Sequence, residues 1–172
     1  MKQKHSPFFR LIKPVIFMKY FILIIFSLWS IFSFAQLKSY KVVGIIDGDT
    51  IEVLDLASNN NIRVRLAEID CPEKGQNFGT KAKNYTSSQV YNKLVKINII
   101  DTDRYGRSIA KVYYSNKYLS EELVKNGLAI VYRKYSSNQK LLDSQFNAKV
   151  KKLGIWSDSS FIEPENFRKS KK

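Results

Sequence analysis

The chain has 172 residues, with 29 Lys or Arg against 15 Asp or Glu, a formal net charge of +14. That length suits one ordinary domain, and the basic excess points to polyanionic partners, nucleic acid first and anionic surfaces second. Its one histidine, His5, falls in the leader described next, and its one cysteine is Cys71. A catalytic histidine dyad or triad, histidine metal sites, an intramolecular disulfide and a thiolate zinc cage are therefore excluded from the body of the chain.

Residues 1–35 read as a separate unit. Lys2, Lys4, Arg10, Lys13 and Lys19 stand there without a single acid, followed by the uncharged run 20–35. A basic start, a short apolar stretch and Ser33-Phe34-Ala35 as a small-x-small box describe a secretory signal, with the mature chain starting at or near Gln36. The apolar run is short for a membrane span of about 20 residues. An uncleaved N-terminal anchor is the alternative, and Met18 is a second candidate initiator. The leader takes 5 of the 29 basic residues and no acid, which leaves +9 on the remainder.

Beyond the leader, the pattern predicts strands. Residues 40–46 are apolar and β-branched, Asp47-Gly48-Asp49-Thr50 breaks the run, and Ile51 and Val53 resume the alternation. A polar turn over 57–61 leads into the stretch 62–66, where Ile62, Val64 and Leu66 alternate with Arg63 and Arg65. That strand stops at Asp70-Cys71-Pro72-Glu73, since a proline cannot donate to a ladder. Strand periodicity sets Arg65 and Asp70 on opposite faces unless the chain bends or bulges between them.

A loop over 74–79 precedes a helix expected over 80–93, from the spacing of Ala82, Tyr85, Gln89, Val90 and Leu94. The formal glycosylation sequon Asn84-Tyr85-Thr86 lies inside that helix and is discounted. Residues 95–99 and 109–114 give strands four and five, joined by the charged turn 101–107. Ser120 is placed as the cap of a short helix with Glu121 and Glu122 in its first turn and Gly127 past its end. Leu142, Phe146, Val150 and Leu153 predict an amphipathic helix closed by Gly154, with Lys149, Lys151 and Lys152 on a solvated face. The polar stretch 158–172 is expected to be a basic mobile tail. Three strands, a helix and two more strands predict an α+β, mainly β chain: a five-stranded OB-fold Greek-key barrel with about three helices, over residues 36–157.

Four charged breaks carry candidate chemistry: Asp47-Gly48-Asp49, Arg65, Asp70-Cys71-Pro72-Glu73 and Asp103-Arg104-Tyr105-Gly106-Arg107. Together with Asn126-Gly127-Leu128-Ala129 and Gly154-Ile155-Trp156, these motifs resemble the thermonuclease family, typified by staphylococcal nuclease. They occur in the family's order across most of residues 40–156. The resemblance implies an exported phosphodiesterase of broad specificity on DNA and RNA that uses one Ca²⁺ ion and leaves 3′-phosphate ends. Carried over position by position, it implies Asp49 and Asp70 as carboxylate metal ligands and Cys71 as a ligand through its backbone carbonyl. Glu73 would hold the attacking water, and Arg65 and Arg107 would grip the scissile phosphate. Tyr105 and Tyr135 fall at nucleotide-contacting positions, with Arg104 and Arg133 beside them. Arg133 replaces a tyrosine of the staphylococcal enzyme, and the loop 74–78 is shorter than its counterpart there.

The chemistry agrees with those roles. Ca²⁺ takes oxygen ligands in irregular geometry. Arginines keep their charge and bind phosphate oxygens bidentately. With no histidine in the body of the chain, a carboxylate must position or deprotonate the nucleophile. Other readings give Asp47 a turn-forming role, leave Glu68 solvated and make Cys71 a small turn residue. A catalytically inactive OB-fold module that only binds nucleic acid is the alternative for the whole chain. No protein partner is implied, and a monomer is expected.

Overall fold

A computed structural model describes residues 38–171, so the leader and its cleavage box lie outside the described residues. The first half forms β1 (Lys38–Ile45), β2 (Thr50–Asp55), β3 (Asn60–Leu66), β4 (Ile69–Asp70) and α1 (Gly79–Val90). There follow β5 (Leu94–Thr102), β6 (Ser108–Tyr114), β7 (Lys117–Tyr118), α2 (Leu119–Lys125), β8 (Ile130–Val131) and α3 (Gln139–Val150). A 3₁₀ turn at Gly154–Ser157 and α4 (Pro164–Ser170) complete the described chain.

β1, β2 and β3 are an antiparallel meander, and β5 pairs antiparallel with both β1 and β6. The sheet closes where β6 runs parallel to β3, with Val64 opposite Ser108 and Leu66 opposite Ala110. This is the five-stranded mixed barrel of an OB-fold, with four α-helices among the described residues. Closure pairs the end of β3, Val64 to Leu66, on both sides, and Arg65 lies in that stretch. Bulges bend β1 between Val42 and Gly44 and β5 between Ile99 and Asp101, where the sheet must curl.

Alternation puts Val42, Ile51, Val53, Val64, Leu66, Val95, Ile97, Ala110 and Val112 inside, packed against Leu119, Leu123 and Leu141 of the helices. Burying each large aliphatic side chain contributes about 1.5–3 kcal/mol. No described helix is long and apolar enough to cross a membrane.

Several elements differ from the sequence expectation. α1 ends at Val90, before the expected limit at residue 93, because Asn92 takes a φ of +59° and Lys93 N–H folds back to Val90 O. Leu94 consequently belongs to β5 and is exposed. Ser120 does not cap α2; it lies within the helix, and its hydroxyl donates to Ala67 O at 3.0 Å. α3 presents a different face from the one expected, burying Leu141, Ser144 and Ala148 while Phe146 and Val150 are each 66% exposed. Small side chains let α3 lie close against α2, and the Ser144 hydroxyl is satisfied by Lys140 O at 2.8 Å. Within the stretch expected to be a tail, α4 forms with Pro164 in its first turn, where a missing N–H costs nothing.

Two glycines join α2 to the C-terminal segment. Gly127 has φ +63°, and a Cβ there would stand 2.1 Å from Leu153 O; at Gly154 it would stand 2.0 Å from Gly127 O. Ile155 N–H donates to Gly127 O at 2.8 Å across this contact. Any side chain at either position would push the two backbones apart.

Glu68 is not solvated. It turns the chain out of β3 with φ +72°, and its carboxylate accepts from Tyr118 OH at 2.9 Å and Ser136 Oγ at 3.1 Å. Lys111 Nζ stands 3.2 Å from the same group. Burial opposes the charge, but the Tyr118 and Lys111 hydrogen bonds outweigh it and hold Glu68 below the ordinary glutamate range. Glu68→Ala is expected to cost about 1–3 kcal/mol at neutral pH, as the partners lose their acceptor. A depressed folded pKa stabilises above the unfolded value and ceases to do so as pH falls through the folded one. Urea unfolding at pH 7 and in acid should therefore show the gap between wild type and variant narrowing in acid.

Candidate active site

The turn between β1 and β2 sets the first acid. Ile46 and Asp47 N–H both donate to Thr50 O, at 2.9 and 3.2 Å, so residues 46–49 fold tightly. Gly48 presses this turn against α1: a Cβ there would lie 2.7 Å from Ala82 Cβ and 2.9 Å from Cys71 Cβ. The Thr86 hydroxyl fixes it by donating to Gly48 O at 2.6 Å. Asp49 thus faces inward, 6% exposed, and its Oδ2 accepts the Cys71 N–H at 2.8 Å.

The second acid arrives by a bend. β3 ends at Leu66, Ala67 N–H binds Ala110 O at 2.9 Å, and the left-handed Glu68 redirects the chain into β4. β4 pairs with β8 through Ile69–Val131 and Asp70–Ile130. That bend removes the opposite-face problem of a straight strand. Arg65 Nη2 reaches Asp70 Oδ1 at 2.8 Å, while its Nη1 lies 2.6 Å from Asp49 Oδ2. One guanidinium therefore bridges two buried carboxylates.

A second arginine, unforeseen in the sequence, extends the array. Arg168 of α4 places Nη2 2.9 Å from Asp70 Oδ2 and Nη1 3.3 Å from Asp70 Oδ1, and Nη1 also binds Glu73 Oε1. The only sequence signal for it was Pro164 as a helix start inside a polar stretch. Glu73 is anchored at its backbone, where its N–H donates to Gln76 Oε1 at 3.0 Å.

Arg107 pairs with Asp103 at 2.7 Å and extends Nη1 to the Thr50 hydroxyl at 3.5 Å; that hydroxyl donates to Asp49 Oδ1 at 3.2 Å. Arg107 thus joins the Asp49 end of the array through Thr50. Tyr105 is exposed, with the Arg104 guanidinium 4.8 Å from its ring centroid and Arg107 5.7 Å away. Tyr135 is exposed too and meets Tyr132 edge-on, ring centroids 4.9 Å apart. Arg133 is exposed on the segment between β8 and α3 and is not joined to the array.

Electrostatics mark the acids as short of positive charge. Burial, and then the neighbouring Asp49 carboxylate, push Asp47 up to about 6. Burial raises Asp70 even with Arg168 and Arg65 beside it. Burial also works against the Arg65 charge, yet Asp49 and Asp70 outweigh it and raise its pKa. Burial pushes the Cys71 thiol well above the usual range, so its sulfur stays a neutral, packed turn residue. Asp49, Asp70 and Glu73 against Arg65 and Arg168 carry one net negative charge.

The donor chemistry fits a hard divalent cation. It offers two carboxylates converging on one cationic group and a surplus of negative charge, with no thiolate or imidazole. Among the described residues, no group of three or more His, Cys, Asp or Glu stands together for a metal. The remaining ligands of such an ion would come from backbone and water, which Ca²⁺ accepts.

The staphylococcal nuclease homologue family matches residues 63–158. The chain belongs to that family. It is 42% identical over 151 residues to an uncharacterized endonuclease of Haemophilus influenzae, spanning 88% of this chain and 84% of the relative. It is 35% identical over 143 residues to a micrococcal nuclease of Shigella flexneri, spanning 77% and 81%. An uncharacterized endonuclease of Escherichia coli O157:H7 is 37% identical over 132 residues, spanning 76% and 85%. The motifs singled out in the sequence fall into two groups: Asp49, Arg65, Asp70, Glu73 and, through Thr50, Arg107 join the charged array, whereas Gly127 and Gly154 hold α2 to the C-terminal segment.

Removing one partner of a buried ion pair leaves an uncompensated charge and costs several kcal/mol. Arg65→Ala in chelator is therefore expected to lose about 3 kcal/mol, near the lower end because Arg168 still pairs with Asp70. Urea denaturation of the metal-free chain measures this.

Proposed function

We propose that the protein is an exported, Ca²⁺-dependent endonuclease that hydrolyses DNA and RNA with little regard to sequence, leaving 3′-phosphate ends. The observation that carries this reading is the pairing of one guanidinium, Arg65, with two buried carboxylates, Asp49 and Asp70. Holding a polyanion needs arginines; it does not need buried acids at the point of contact, and these cost free energy to bury. A module that only binds nucleic acid leaves Asp49, Asp70 and Glu73 without a purpose. The nuclease and endonuclease names of the relatives support the same class of reaction.

Asp49 and Asp70, with the backbone carbonyl of Cys71, would hold Ca²⁺. When bound, that ion supplies positive charge that polarises the phosphodiester and acidifies water near it. The protein's own groups do the rest. Glu73 accepts a hydrogen bond from the attacking water and holds it in line, or takes its proton. Arg65 donates to non-bridging phosphate oxygens from beside Asp49 and Asp70, and Arg107 does so from the Thr50 side. Both stay charged at every pH of interest and meet developing negative charge with preformed donors.

Tyr105 and Tyr135 offer rings on which bases stack, and Arg104 and Arg133 add charge beside them. Base stacking and diffuse charge distinguish sequences poorly, which supports broad specificity. Export rests on the leader pattern in residues 1–35, with release after Ala35.

Cleavage should require Ca²⁺ and stop on chelation, with Mg²⁺ giving little turnover because it demands stricter octahedral geometry and keeps its waters. Glu73→Gln should lower the rate by about 10²–10⁴ while leaving oligonucleotide affinity within reach of wild type. Parallel cleavage and binding assays in Ca²⁺ measure both. Near-normal cleavage by Glu73→Gln, or full activity in Mg²⁺ alone, contradicts the reading.

A further inference from the structure

The C-terminal segment reaches the site from the far end of the sequence, and contacts other than Arg168 fasten it there. Asn77 Nδ2 donates to Asp158 Oδ2 at 3.0 Å, and Gln76 Nε2 donates to Ile162 O. Both grips fall on the 74–78 loop that directly follows Glu73. Tyr132 OH donates to Glu165 Oε2 at 3.4 Å, and Pro164 is buried at the start of α4. α4 then projects Arg168 onto Asp70 through both terminal nitrogens and onto Glu73 through Nη1.

Asp70 and Glu73 are like charges three residues apart on one turn, so without a counter-charge they push each other away. A planar guanidinium fork fixes the orientation of both carboxylates, which the rotating donors of an ammonium do less strictly. The segment does not depend on Arg168 as its anchor, because it is already tied at three other places. What the contact does fix is the orientation of the Glu73 carboxylate relative to Asp70.

We propose that Arg168 is a positioning residue of the active site, a third guanidinium that holds Glu73 beside Asp70, which makes α4 part of the catalytic unit. The proposal rests on the nuclease reading, in which Glu73 handles the attacking water and Asp70 faces the metal. Its positive charge also opposes a divalent cation at Asp70, so positioning is gained at the expense of metal affinity. Loss of Arg168 should therefore move turnover and Ca²⁺ affinity in opposite directions. A merely structural role would weaken both together.

The test compares wild type, Arg168→Ala and Arg168→Lys in three measurements. These are cleavage of a short oligonucleotide at saturating Ca²⁺, calorimetric titration of the metal-free chain with Ca²⁺, and the melting temperature in chelator. Arg168→Ala should lower kcat by about tenfold or more, since a misplaced catalytic group loses its near-attack geometry. The same variant should bind Ca²⁺ more tightly, by up to about tenfold from the loss of one nearby positive charge. Arg168→Lys should lower kcat nearly as far while leaving Ca²⁺ affinity near wild type, because it keeps the charge and loses the fork. A kcat for Arg168→Ala within about twofold of wild type, or Ca²⁺ binding that weakens along with the melting temperature, overturns the proposal. Absence of cleavage by wild type contradicts the nuclease reading. The Ca²⁺ titration then judges the contact alone: tighter binding by Arg168→Ala supports it, and equal or weaker binding overturns it.

Discussion

The rest of the structure depends on one electrostatic constraint: Asp49 and Asp70 are both buried, and a single guanidinium, Arg65, stands between them. Two carboxylates so close in a low-dielectric setting cannot both stay ionised without a counter-charge. Their approach is imposed by main-chain geometry. The Asp49 turn is held by Thr50 and Thr86, and the Asp70 strand by β8. The Cys71 N–H ties the two segments together by donating to Asp49. The barrel brings together residues that lie on three separate stretches of sequence, and Arg65 neutralises part of what that arrangement costs.

Such an array can change partners. In the proposed reaction, Asp49 and Asp70 would hold a divalent cation, which would leave Arg65 free to donate to the phosphate. Metal and substrate would then assist one another, since each would remove a charge the other has to meet. Tyr105 and Tyr135 carry no buried charge and project into solvent, whereas Asp49 and Asp70 do not.

Much of this was legible in the sequence because it follows from short-range rules. The meander β1–β3, the placement of α1 and strands β5 and β6 rest on periodicity, and the charged breaks fall where strands end. Three of the features that escaped did so for a tertiary reason. The buried face of α3 was chosen by its fit to α2, so small Ser144 and Ala148 pack inward and Phe146 does not. Glu68 alternates as a surface residue would, but a left-handed bend turns it toward Tyr118 and Ser136. Arg168 sits in a polar stretch without periodicity, and only the path of residues 158–164 across the 74–78 loop delivers it to Asp70.

The central claim is that Arg65 is shared between the acids and a phosphate, with a divalent cation deciding which. Calorimetric Ca²⁺ titration of Glu73→Gln, with and without a short single-stranded oligonucleotide, tests this most directly because bound substrate survives the measurement. The account predicts that the oligonucleotide tightens Ca²⁺ binding and that Ca²⁺ tightens oligonucleotide binding by the same factor, as linkage requires. Ca²⁺ affinity that is unchanged by the oligonucleotide would contradict it.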